Sequence, residues 1–112
     1  MPFYEPQNCP SKELFPGVTI TPIWGEHVMM SFVRFSFANA LVPTHQHPHE
    51  QAGTGLEGEF ELIIDGEARV IRAGDAYVIP GNTPHSARSL TENAYALDIF
   101  YPILEEYTRD LL

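Results

Sequence analysis

A chain of 112 residues that is 44% hydrophobic and 12% aromatic has the size and composition of one globular domain, not of a disordered segment. Its formal charge of −9, with Lys12 the only lysine, repels phosphate backbones and anionic lipid and so argues against nucleic-acid and membrane partners. No run approaches the roughly 18–20 apolar residues of a membrane-spanning helix.

The start, Met1-Pro2-Phe3-Tyr4-Glu5-Pro6, has neither the basic end nor the apolar run of an export signal. Cys9 is the single cysteine, which leaves no internal disulfide and suits a reducing compartment, so the expected location is cytoplasmic. Residues 1–17 read as an N-terminal arm, residues 18–101 as the body and residues 102–112 as a tail, in one domain.

Along the body, prolines and glycines punctuate short runs of Val, Ile, Phe, Tyr and Thr, the pattern of strands rather than helices. Val18–Trp24 and Val28–Phe37 are the first two. Phe60–Ile64 and Ala68–Ile71 flank Asp65-Gly66, a tight hairpin signal. Gly74-Asp75 turns the chain into Ala76–Ile79, Pro80–Pro84 bends it again, and Ala94–Tyr101 is the last strand. In the tail, Ile103–Leu112 is expected to form a short helix after Pro102. Many short strands with regular turns indicate an all-β sandwich or barrel.

Chemistry concentrates in Thr44-His45-Gln46-His47-Pro48-His49-Glu50-Gln51. If His45 and His47 lie on one strand, they share a face with Cα atoms about 7 Å apart, and both imidazoles can reach one metal ion. Alone, such a pair is equally a pair of surface histidines. Pro48 breaks the alternation, which puts His49 outside a shared site, and Glu50 and the isolated His27 read as surface residues. On the last strand, Ala94, Ala96, Asp98 and Phe100 share one face. An aspartate among small residues there is either at a solvated mouth or lining a cavity.

Together these stretches resemble the cupin superfamily. Its first motif is Gly, five residues, His-x-His, three or four residues, Glu, six residues, Gly. His45-x-His47, Gln51 and Gly58 follow that spacing. Its second motif, Gly, five residues, Pro-x-Gly, two residues, His, is met by Gly74, Pro80, Asn82 in the second glycine place, and His85. Asn39 stands where the leading glycine would be, and Gln51 replaces the usual glutamate. The resemblance implies a single-domain cupin β-barrel (a double-stranded β-helix or jelly roll) with one divalent metal, Zn, Ni, Mn or Fe, on His45, His47, Gln51 and His85.

A finer resemblance runs from Trp24 to Tyr107. His-x-His-Pro-His-Glu-Gln, Leu56-Glu57-Gly58-Glu59, Gly74–Pro80, Pro84-His85-Ser86 and Ala96–Phe100 are similar to the pectin-degradation cupins of the KdgF type. That resemblance implies a metal-dependent enzyme that opens 4,5-unsaturated uronates, small anionic sugar acids, to linear keto forms. It implies Asp98 as the catalytic acid and base and Phe100 as an adjoining substrate contact. The family's C-terminal arginine is Leu104 here, so Arg88 and Arg34 are the candidate cations for the substrate carboxylate. Alternatives are a cupin dioxygenase or isomerase on another small anion, or a non-catalytic sugar-binding cupin. Exposed strand edges make a homodimer the expected assembly.

Overall fold

The computed structural model describes residues 2–111; Met1 and Leu112, the outer ends of the expected arm and tail, lie outside the described residues. Ten strands follow in chain order: β1 (Lys12–Phe15), β2 (Val18–Trp24), β3 (Met29–Phe35), β4 (Leu41–His45), β5 (Glu50–Glu57), β6 (Phe60–Ile64), β7 (Glu67–Ile71), β8 (Ala76–Ile79), β9 (His85–Ser89) and β10 (Ala94–Tyr101). They form a six-stranded sheet, ordered β1-β2-β3-β10-β5-β8, and a four-stranded sheet, ordered β4-β9-β6-β7. Every named strand pair is antiparallel.

Alternation explains which face is inside. In β2 and β3 the buried residues include Val18, Ile20, Val33 and Phe35, and in β10 Ala94 and Ala96. These meet Phe60, Leu62 and Ile71 of the smaller sheet in one core, with Phe35 stacked on Phe60 at 5.7 Å between ring centroids. A second cluster of Met29, Phe100 and Leu104 closes one end.

Backbone conformation accounts for the two asparagines at motif glycine positions. Asn39 has φ +66° and Asn82 has φ +59°, so both places demand the left-handed region, which Asn tolerates better than most side chains.

β1 lies within the expected arm and pairs with β2. One expectation is corrected: among the described residues the tail forms no α-helix, only a 3-10 turn, Glu105–Thr108. Leu104 is buried and Tyr107 half-buried, a three-residue spacing that one 3-10 turn satisfies. Lys12 Nζ donates to the backbone carbonyls of Glu106 (2.9 Å) and Arg109 (3.0 Å), taking up acceptors a longer helix would use for itself.

Candidate metal centre and its cavity

Two strand ends and the segment that follows β4 deliver the histidines. His45 closes β4, His85 opens β9, and the two are paired in register. His47 is not on the strand with His45, as alternation suggested; it lies in the bend after β4. There its carbonyl accepts the Asn82 N–H at 2.6 Å, which joins the two motif segments. The result is nonetheless a cluster: the ligating atoms of His45, His47 and His85 all lie within 4.8 Å of one another. His49, on its neighbouring bend, stands outside it with Nε2 against the Ile103 carbonyl at 3.1 Å, and exposed His27 has only Glu26 beside it.

Each cluster ring is fixed by its other nitrogen. Nδ1 of His45 faces the Pro43 carbonyl (2.9 Å), that of His47 the His49 carbonyl (3.1 Å) and that of His85 the Thr83 carbonyl (2.7 Å). A carbonyl only accepts, so each Nδ1 carries the proton and each Nε2 presents a lone pair. Nε2 of His47 and of His85 is buried without a hydrogen-bond partner among the described residues, and so is Oε1 of Gln51. Buried polar atoms left unpaired are costly. Three imidazole nitrogens and one amide oxygen, three of the four buried and unsatisfied, are the donor set of a divalent ion, so the residues fit a metal. Burial, with the neighbouring His45 and His47, lowers the His85 pKa to about 4 despite its bond to Thr83. Burial likewise lowers that of His47, again against a backbone hydrogen bond. Both therefore stay neutral, the form that ligates.

Beside the cluster lies a cavity lined by His45, Gln51, Tyr77, His85 and Asp98, with apolar walls such as Val33 and Phe60. Asp98 enters it from β10, opposite Gly53 of β5. Tyr77 of β8 pairs with the same Gly53 and donates its hydroxyl to Asp98 Oδ1 at 2.6 Å. Burial raises the Asp98 pKa to about 6, while hydrogen bonds from Tyr77 and Gln51 pull it back. Tyr77 itself is pushed up by burial and by Asp98, so it remains a hydroxyl donor.

The remaining expected substrate residues are placed elsewhere. Phe100 is fully buried, edge-on to the His47 ring at 5.8 Å and to Tyr107 at 5.5 Å, so it backs the metal cluster instead of meeting solvent. Arg34 points outward: it pairs with Glu57 (3.2 Å), donates to the Asn93 carbonyl and covers the Tyr95 ring. Arg88 donates to Asn39 Oδ1 at 2.6 Å and sits 3.6 Å from Glu61. Neither lines the cavity. Leu104 is a core residue under Phe100, which leaves no room for a cation there. The sequence reading missed Tyr77, Gly53 and Arg109. Arg109 lies in a second pocket with His45, Gln46, His47 and Tyr107, and among the described residues it is the one arginine without an ion pair.

Residues 38–100 match the cupin domain family. The chain belongs to the cupin family. It is 33% identical to the pectin degradation protein KdgF of Dickeya dadantii over 89% of this chain and 92% of that protein. Its structure is similar to that of KdgF from Halomonas sp., with a TM-score of 0.86 and 29% identity over 93% of this chain and 96% of the other. An RmlC-like cupin from Shewanella frigidimarina matches with a TM-score of 0.88 and 25% identity over 96% of both chains. The KdgF-type resemblance read from the motifs thus extends over nearly the whole chain and its fold. Among the described residues no helix is long and apolar enough to cross a membrane.

Proposed function

We propose that this cupin is a metal-dependent enzyme that opens the ring of 4,5-unsaturated uronates to linear keto sugar acids. The observation that carries the reading is a three-histidine cluster set against a cavity that His45, His85, Gln51 and Asp98 line together. The likeness to KdgF, a pectin degradation protein, supplies the substrate class.

His45, His47, His85 and Gln51 would hold one divalent ion, which supplies Lewis-acid stabilisation of negative charge when bound. Because Gln51 donates a neutral oxygen, this set leaves the ion's double positive charge undiminished. The protein's part in the chemistry falls to Asp98. As carboxylate it takes the proton of the anomeric hydroxyl. The ring C–O bond breaks, its electron pair stays on the former ring oxygen, and the anomeric carbon becomes an aldehyde. The same proton is returned to the enol carbon, giving the ketone. The sum is an isomerisation that needs no co-reactant, and one carboxyl group serves both steps. A carboxyl whose pKa lies near 6 is well matched to accepting and returning a proton. Arg109, in a second pocket that shares His45 with the cavity, is the cation we place against the substrate carboxylate, in the role first sought for Arg34 and Arg88.

We place the enzyme in the cytoplasm and as a homodimer. Met30, Ile99 and Val78, exposed on the outer face of the larger sheet, support self-association; a monomeric mass in sedimentation would remove the dimer. The test of function is an absorbance assay on a mixture of unsaturated uronates, following loss of the conjugated enol. The metal-loaded protein accelerates that loss above the spontaneous rate; no acceleration on any uronate removes the assignment.

A further inference from the structure

Asp98, Gly53 and Tyr77 occupy one row across three adjacent strands. Register places Asp98 of β10 opposite Gly53 of β5, and Gly53 opposite Tyr77 of β8. In such a row, inward side chains stand side by side about 5 Å apart. Tyr77 and Asp98 are two strands apart and should be separated by the residue between them. They touch because that residue has no side chain: the Tyr77 hydroxyl reaches Asp98 Oδ1 at 2.6 Å over Gly53. A Cβ built on Gly53 would collide with both Asp98 Oδ1 and the Tyr77 ring atoms Cε1 and Cζ. Gly53 has no positive φ, so this glycine is required by the close approach and not by backbone conformation.

We infer that Tyr77 is a positioning residue for the reaction, holding the Asp98 carboxyl in one orientation through a hydroxyl that only a glycine at position 53 lets pass. This rests on the uronate reading above. The stem of Asp98 has two rotatable bonds, and its neighbours Ala96 and Gly53 are too small to restrain it, which leaves the Tyr77 hydroxyl and the Gln51 amide to hold the carboxyl. With Gln51 alone the carboxyl would sample orientations in which it cannot reach the anomeric proton. A hydrogen bond to a charged acceptor is among the stronger ones, and here it also fixes geometry. Tyr77 has no other hydrogen bond among the described residues, and its ring rests on Phe60.

The experiment is a double-mutant cycle in turnover on the metal-loaded enzyme. Tyr77→Phe keeps the ring and its packing but lacks the hydroxyl. It should lower kcat about ten- to hundredfold, the loss expected of one hydrogen bond to a charged group, with KM and metal content unchanged. In an Asp98→Asn background the same change should have almost no further effect, because the two groups act as a unit. Gly53→Ala, which displaces the ring, should lower kcat as Tyr77→Phe does. If Tyr77→Phe keeps wild-type kcat, or multiplies with Asp98→Asn as an independent loss, the inference is overturned while the uronate reading stands. If wild type itself never exceeds the spontaneous rate, that reading falls and takes the inference with it.

Discussion

His45 and His85 face each other in register across the β4–β9 pair, their ring centroids 4.2 Å apart. Each is turned by a backbone carbonyl so that its Nε2 joins that of His47. Without an ion this arrangement gathers unpaired acceptors and gains nothing from it. A native-state ligand should therefore stabilise the fold by mass action, by about 2.7 kcal/mol at a hundredfold excess over Kd. Metal-loaded wild type should keep one ion per chain through dialysis, and His85→Ala should lose it and melt lower. Elemental analysis with a thermal melt checks this; a wild type that retains no ion contradicts it.

Gln51 stands between the histidine cluster and Asp98, with its carbonyl oxygen unpartnered and its amide bonded toward the carboxylate. Gln51→Glu should still bind metal. It would cut the site's positive charge by one and set a second carboxylate beside Asp98, so turnover should fall. Metal content and kcat measured side by side separate the two effects, and an unchanged kcat would show that the neutral ligand matters little.

Asp98 also predicts a pH dependence of stability. Its folded pKa, about 6, lies above its ordinary 3.8, so the folded state binds the proton more tightly than the unfolded one. The contribution is fully present below pH 4 and is lost as pH rises through 6. Asp98→Asn has no such loss. In chelator-treated protein, the melting temperature of Asp98→Asn relative to wild type should rise between pH 5 and pH 8. A constant difference across that range would mean that Asp98 is not desolvated as described.

How much of this could be read from the chain depended on distance along it. Val18–Trp24, Phe60–Ile64, Ala76–Ile79 and Ala94–Tyr101 are strands with those bounds, because alternation and turn residues are local signals. The histidine grouping was also legible, through motif spacing, although His47 arrives by a bend and not by strand alternation. Tyr77 and Gly53 were not. Their meeting with Asp98 depends on the register of three strands that are distant in the sequence. The same holds for Arg34 and Arg88, whose partners Glu57, Asn39 and Glu61 become neighbours only in the folded sheets. The tail misled because Ile103, Leu104, Tyr107 and Leu111 have helical spacing, while only its first turn is anchored in the core.

Arg109 is exposed and makes no ion pair among the described residues, so its removal should leave the fold intact. As a clamp for the substrate carboxylate it should act on binding. Arg109→Ala should raise KM about tenfold or more, the loss of a charge-assisted contact, with a smaller change in kcat. A KM equal to wild type would remove Arg109 from the site.

The most direct test of the account is the turnover of Asp98→Asn on an unsaturated uronate, with the spontaneous rate subtracted. Asparagine keeps the shape but cannot carry the proton. Metal content should match wild type, and the rate should fall roughly 10²–10⁴-fold, the usual worth of a general acid–base group. A variant that keeps more than half of the wild-type rate would contradict the account, whatever metal the site holds.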